Sequence, residues 1–247
     1  MSEISMQGQV AIVTGGVRGI GLGIAKRLAK EGCRVVIWDR DIAPFDSAAA
    51  GFQPVHMQAV DVSDLQSVRQ AYEATRAKVG AAQILVNNAG INGPVLPVMD
   101  YPEDHWHRVI AVNLNGVFHC TKAVLSDMKA AGYGRIINVA SAAGKEGVPG
   151  IAAYAASKHG VVGFTKSLSR ELAETGILVN CIAPVMTETD LLKEMTPEHI
   201  AASKAKIPMG RFLQIPEIAA MVAWIASPEC SFTTGFTFDL SGGRANY

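Results

Sequence analysis

An α/β fold, with one parallel sheet covered by helices on both faces, is what this sequence predicts, and two patterns predict it. Seven short apolar runs rich in Val and Ile, at residues 10–14, 34–38, 54–62, 83–87, 134–139, 178–182 and 237–240, have the near-continuous hydrophobicity of strands buried on both sides. Helix-period stretches at 21–30, 65–78, 103–128, 154–174 and 217–226 lie between them. Strand and helix alternating over the whole length imply right-handed crossovers and a doubly wound sheet. With neither a Pro/Ser-rich linker nor an internal repeat, residues 1–247 read as a single domain. The alternation lapses only at 187–216, where Thr196-Pro197, Ile207-Pro208 and Ile215-Pro216 break up short helical pieces. That insert reads as an excursion from the sheet, suited to serve as a lid over a substrate.

The first strand runs into Thr14-Gly15-Gly16-Val17-Arg18-Gly19-Ile20-Gly21, which opens the first helix. Gly15, Gly19 and Gly21 let backbone approach a pyrophosphate and place it on a helix N-terminus, where unpaired N–H groups and the helix dipole favour anions; Arg18 and Ile20 lie in the same turn. The spacing is Gly-x-x-x-Gly-x-Gly rather than the ordinary Gly-x-Gly-x-x-Gly, but the strand before it and the helix after it make the same device.

The second strand ends at Trp38-Asp39-Arg40. Asp39 can accept hydrogen bonds from both hydroxyls of an adenosine ribose and repels a 2′-phosphate, which selects NAD over NADP. Arg18 and Arg40 pull the other way. The third strand closes on Asp61-Val62, placed to meet an adenine amino group, although Asp61 also suits the N-cap of the next helix. The fourth ends in Asn87-Asn88-Ala89-Gly90, whose small residues suit a closely passing cofactor and whose amides suit ties between strands.

The proton-transfer chemistry falls on the fifth strand and the helix after it. Tyr154 and Lys158 stand at i and i+4, on one helix face about 5–6 Å apart. A tyrosine ionises near pH 10, so a general base working at neutral pH needs its phenolate stabilised. Three pH units require roughly 4 kcal/mol, about the attraction of a unit charge at ~4 Å in an effective dielectric of ~20. Lys158 is able to supply that charge. Ser141, at the end of the fifth strand, is a neutral donor for a substrate oxygen as alcohol becomes carbonyl.

Composition narrows the rest. Lys plus Arg and Asp plus Glu both number 22, which removes any electrostatic case for nucleic acid or an anionic membrane. A hydrophobic fraction of 49% with 18% charged residues fits a compact folded chain whose partners are small molecules or copies of itself. Cys33, Cys120, Cys181 and Cys230 are widely spread and read as reduced core residues, and the six histidines do not organise into a metal site. Met1 to Gly8 lacks a signal-peptide pattern and no apolar run reaches membrane-spanning length, so a cytoplasmic enzyme is expected.

Taken in order, Thr14 to Gly21, Asn87 to Gly90, Asn113, Ser141, Tyr154 and Lys158 resemble the motifs of the short-chain dehydrogenase/reductase family over nearly the whole chain. The resemblance implies a Rossmann-type fold with a seven-stranded parallel sheet. It implies Tyr154 as catalytic acid/base, Lys158 on the nicotinamide ribose, Ser141 orienting substrate, and Asn113 holding a water that relays protons to Lys158. It implies a homotetramer built through the helices at 103–128 and 154–174. Where the family more often has Pro-Gly this chain has Pro184-Val185, with Thr187 still placed to bind the nicotinamide carboxamide.

The substrate pocket is expected among loops 91–98, 142–149, 185–192 and 207–211, with Asn92, Lys145, Glu146 and Arg211 as its polar candidates. Such groups suit a small polar, carboxylated alcohol. The Lys145-Glu146-Gly147 loop and the tail Ser241 to Tyr247 resemble family members that oxidise 2-keto-3-deoxy sugar acids, and in a tetramer the tail is within reach of a neighbouring active site. The rival reading is a 3-oxoacyl carrier-protein reductase using NADPH, against which Asp39 and the zero net charge weigh. A dinucleotide-sensing protein that has lost the chemistry is the remote alternative.

Overall fold

The computed structural model describes residues 5–188 and 197–245. Seven strands form one sheet: β1 (Val10–Thr14), β2 (Arg34–Asp39), β3 (His56–Ala59), β4 (Ile84–Asn87), β5 (Gly134–Val139), β6 (Ile177–Pro184) and β7 (Thr237–Leu240). Their order is β3-β2-β1-β4-β5-β6-β7, and every neighbouring pair is parallel. The helices are α1 (Gly19–Lys30), α2 (Ser47–Ala50), α3 (Leu65–Val79), α4 (Glu103–Ile110), α5 (Gly116–Ala131), α6 (Ala152–Glu171), α7 (Pro197–Ala205) and α8 (Ile215–Ala226). The chain leaves β1 in one direction and returns through β4 in the other, so a crevice opens between their carboxyl ends.

Alternate strand residues feed two separate cores. Ile12, Val36, Leu85, Ile136 and Val179 pack with Val68, Cys120, Val124, Met128 and Leu168 from α3, α5 and α6. Their neighbours Ala11, Val13, Val35, Ile37, Val86, Ile137 and Ile182 pack on the opposite side with Ile24, Leu28, Ile218 and Val222 from α1 and α8. Period-2 alternation with both faces covered is why the runs read as continuously apolar. All four cysteines are buried and unpaired, and burial pushes the Cys33 and Cys120 thiols up to about 12.

Three expectations need correction. The third strand is shorter than 54–62, because β2, its sole partner, ends where Asp39 meets Ala59, and residues 60–62 run on into the crevice. The N-cap of α3 is Asp64, whose carboxylate accepts from the Gln66 N–H at 2.8 Å; Asp61 instead accepts from Ser63 backbone and hydroxyl in a tight turn. The helix expected at 103–128 is interrupted by a wide π-turn, Ala111–Asn115, between α4 and α5. The whole stretch Glu103–Ala131 is long and apolar enough to cross a membrane by composition, but Cys120, Val124 and Met128 on it belong to the core.

In the insert, α7 is one of the short helical pieces expected there, and the two ends are tied by a bridge between Thr187 and Leu213. Leu192 and the rest of 189–196, and Tyr247 at the tail, lie outside the described residues.

Candidate active site

A cleft of about 650 Å³ occupies the crevice. Gly15, Arg18, Gly19, Ile20, Gly21, Asp39, Asp61, Val62, Asn88, Ala89 and Gly90 all line it, joined by Trp38, Arg40, Val60, Ile91 and Val112. Its floor is close-packed backbone. A Cβ on Gly21 would meet the Gly15 carbonyl at 2.0 Å and the Asn88 amide at 2.5 Å, so only glycine lets α1 start against the end of β1. Thr14 and Asn88 knit these ends together: the Thr14 hydroxyl accepts from the Asn88 and Ala89 N–H groups at 2.9 and 3.0 Å, and the Asn88 amide donates to the Thr14 and Gly15 carbonyls. Asn87 donates to Asn138 on β5 and to Thr121 on α5, a structural tie rather than a cleft contact. The cleft therefore suits a dinucleotide, with a glycine cradle at a helix N-terminus for the pyrophosphate.

Asp39 sits at the end of β2 and accepts from the Val17 N–H at 3.2 Å, which turns its carboxylate toward the first turn of the cradle. Arg18 and Arg40 are exposed at the same wall. The Ser63 hydrogen bond holds the Asp61 carboxyl below the usual range, so it is ionised where it faces the cleft.

Beyond Gly90 lie the side chains expected to carry the chemistry. A Cβ there would stand 3.3 Å from Asn113 Oδ1 and 3.6 Å from Lys158 Nζ, so the cleft wall touches both side chains. Asn113 is fully buried in the π-turn; its Oδ1 accepts from the Ile91 N–H, and its Nδ2 donates to the Ile91 carbonyl and the Ser157 hydroxyl. The wide turn aims this amide at the loop after β4. Tyr154 and Ser141 share a hydrogen bond. Lys158 Nζ stands 5.7 Å from the Tyr154 ring centroid and donates to the Val139 carbonyl at 2.6 Å.

The electrostatics differ from the sequence expectation. Burial pushes the Tyr154 phenol up, and the Ser141 hydrogen bond offsets this only in part. Burial also lowers the Lys158 ammonium to about 8. With its ammonium hydrogen-bonded to a backbone carbonyl and 5.7 Å from the ring centroid, Lys158 is a weak lever on the phenol. In the protein alone, desolvation of Tyr154 outweighs Lys158.

The substrate-side candidates are not brought together as free polar groups. Lys145 pairs with Asp239 at 3.0 Å, Glu146 takes Arg244 through two contacts of 2.8 and 3.1 Å, and Arg211 forks onto Glu217. Asn92 is exposed and turns back to the Gly93 carbonyl. Pro184 ends β6 and Thr187 is buried, donating to the Val185 carbonyl at 3.0 Å; neither borders the 650 Å³ cleft. Val185 is itself buried, packed with Ala142 and Ile207. Arg244 is paired within its own chain. Among the described residues, no three His, Cys, Asp or Glu side chains converge as a metal site would require.

A doubly wound sheet, a glycine cradle at its switch point and a Tyr-Lys-Ser cluster beside it define a dinucleotide-dependent oxidoreductase. The chain belongs to the short chain dehydrogenase family, whose model matches residues 9–199. It is 45% identical to the 2-dehydro-3-deoxy-L-rhamnonate dehydrogenase (NAD(+)) of Sphingomonas sp. (strain SKA58), over 97% of this chain and 96% of that protein. It is 40% identical to the 3-oxoacyl-[acyl-carrier-protein] reductase of Vibrio cholerae serotype O1, over 97% and 98%. Among solved structures it is similar to gox2181, with a TM-score of 0.92 and 34% identity over 98% of this chain and 97% of that one. An actinorhodin polyketide ketoreductase variant with NADPH gives a TM-score of 0.89 and 38% identity over 97% and 98%.

Proposed function

We propose that this protein is an NAD-dependent dehydrogenase interconverting a secondary alcohol and a ketone on a small sugar-derived acid of the 2-keto-3-deoxy class. The observation that carries the reading is Asp39, a carboxylate turned into the cleft where the adenosine ribose of a dinucleotide would lie. The NAD-dependent sugar-acid relative at 45% identity supports it. Bound NAD supplies the hydride acceptor and a positive ring that favours phenolate over phenol. Tyr154 then removes the hydroxyl proton in oxidation and returns it in reduction, Ser141 steadies the substrate oxygen, and Lys158 anchors the nicotinamide ribose. Asn113 holds the loop at Ile91 and a relay water. Pro184 and Thr187 take the carboxamide end, and the 187–216 insert covers the substrate.

We also propose a cytoplasmic homotetramer joined through α4, α5 and α6. Phe118, 44% exposed and edge-to-face with Phe164, and Trp106, 37% exposed, give those helices an apolar outer face.

The second reading, an NADPH-linked 3-oxoacyl carrier-protein reductase, rests on Arg18 and Arg40 flanking Asp39 and on the reductase relative. One assay separates the two. NADH formation is followed with NAD and then NADP against aldonic and 2-keto-3-deoxy sugar acids, with reduction of an acetoacetyl thioester alongside. NAD-linked oxidation of a sugar acid is expected; NADPH-linked thioester reduction alone overturns the reading.

A further inference from the structure

The side chains that pair with Lys145 and Glu146 come from one short stretch of chain. Asp239 is the last residue but one of β7 and Arg244 lies five residues on, in a turn where the Ser241 hydroxyl accepts from the Ala245 N–H at 2.9 Å and Asp239 accepts from the Ser241 N–H at 2.9 Å. Their partners close the 3-10 turn Ala142–Gly144 that begins at Ser141: the Lys145 and Glu146 N–H groups both donate to the Ala142 carbonyl. That turn rests on the catalytic helix without slack, since a Cβ on Gly144 would meet the Lys158 carbonyl at 2.9 Å. On its other side the tail supports the end of the insert. The Gly242 carbonyl accepts from the Met209 N–H at 3.2 Å, and a Cβ on Gly242 would meet Ile207 at 2.8 Å.

Both ion pairs are shielded. Lys145 keeps 10% of its side-chain surface exposed, Asp239 30%, Arg244 22% and Glu146 28%. Pairs shielded to this degree, one of them a guanidinium close to both carboxylate oxygens and hydrogen-bonded to Oε2, hold geometry in a way that fully exposed pairs do not.

We propose that the C-terminal turn 239–245 is a brace for the substrate half of the site. Arg244, through Glu146, and Asp239, through Lys145, are positioning residues that fix the turn bearing Ser141 and the segment 207–209. The brace acts on substrate binding and leaves dinucleotide binding alone, because none of these residues borders the cofactor cleft. This proposal rests on the assignment of Ser141 to substrate made above.

The test is Arg244→Met beside Glu146→Gln, and the exchange Glu146→Arg with Arg244→Glu. Hydrogen exchange is read without substrate, NADH affinity by fluorescence titration, and KM and kcat with whichever alcohol or ketone the parent protein turns over. In Arg244→Met the amides of 143–146 are expected to exchange about tenfold faster, KM to rise at least fivefold with kcat changed less than twofold, and NADH affinity to hold within twofold. The exchanged pair should recover most of the lost KM. Unchanged protection at 143–146, or a loss of NADH affinity equal to the loss in KM, overturns the brace. The hydrogen-exchange arm decides even if the sugar-acid assignment fails, since it needs no substrate.

Discussion

The cofactor side of the site is walled by backbone and small side chains gathered at the ends of β1, β2 and β4, whereas the substrate side is held by charged side chains that pair across as many as 98 positions of chain. On the first side, the shape comes from what is missing, a Cβ at Gly21, and the charge proposed to select NAD comes from one carboxylate, Asp39. On the second, Lys145 and Glu146 are already neutralised from within, by Asp239 and Arg244. A rigid cradle is indifferent to the substrate and can be retained while the opposite wall changes. That fits a chain similar at 38–45% identity to proteins named for quite different substrates.

The largest expected effect belongs to the seam between the two halves. Tyr154→Phe removes the hydroxyl but keeps the ring, so kcat should fall about 10³-fold while NADH affinity changes little. Steady-state rates and NADH fluorescence check this. Retained turnover would move the acid/base function elsewhere, and a silent parent enzyme with intact NADH binding would favour the sensor reading.

Asp39→Asn tests the cofactor side alone. Losing a charge-assisted acceptor worth about 1.5–3 kcal/mol should shift the NAD to NADP ratio of kcat/KM by about 10- to 100-fold toward NADP, with Arg18 and Arg40 left beside the phosphate. The substrate KM should stay within twofold. If KM moves with it, the halves are coupled.

Lys158 gives a pH signature. Its folded-state value of about 8 lies below the ordinary 10.5, so between those values the unfolded chain binds more protons at this lysine, and its contribution to stability rises with pH by about 1.5 kcal/mol between pH 8 and 9.5. The buried Cys33 and Cys120 thiols, pushed up to about 12, act in the opposite sense over that range because they ionise first in the unfolded chain. The signature is therefore a difference: in denaturant unfolding, the stability of the cofactor-free protein relative to Lys158→Met should rise by about 1.5 kcal/mol across that range.

The smallest effect is expected at Arg211. Its fork onto Glu217 lies at the surface, and its hydrogen bonds hold the Glu217 carboxyl down to about 2. Arg211→Ala should leave kcat/KM within twofold and the melting temperature nearly unchanged. A fivefold or greater rise in KM would restore Arg211 as a substrate contact.

The sequence by itself determined the sheet, its parallel sense, the glycine turn and the Tyr154-Lys158 face. Each is written in short-range periodicity: two for strands, 3.6 for helices, and glycine where backbone must approach closely. It also placed Asp39 and Asn88 at strand ends, because every strand of such a sheet points its carboxyl end at the same crevice. Only the tertiary structure decided the rest. The π-turn at Asn113 depends on a side chain meeting Ile91, the brief β3 on where β2 stops, and the fate of Lys145 and Glu146 on carboxylate and guanidinium groups nearly a hundred residues away. The raised phenol of Tyr154 is likewise a fact of burial. Desolvation and ion pairing are properties of neighbours in space, and no local spacing records which neighbours the fold will supply.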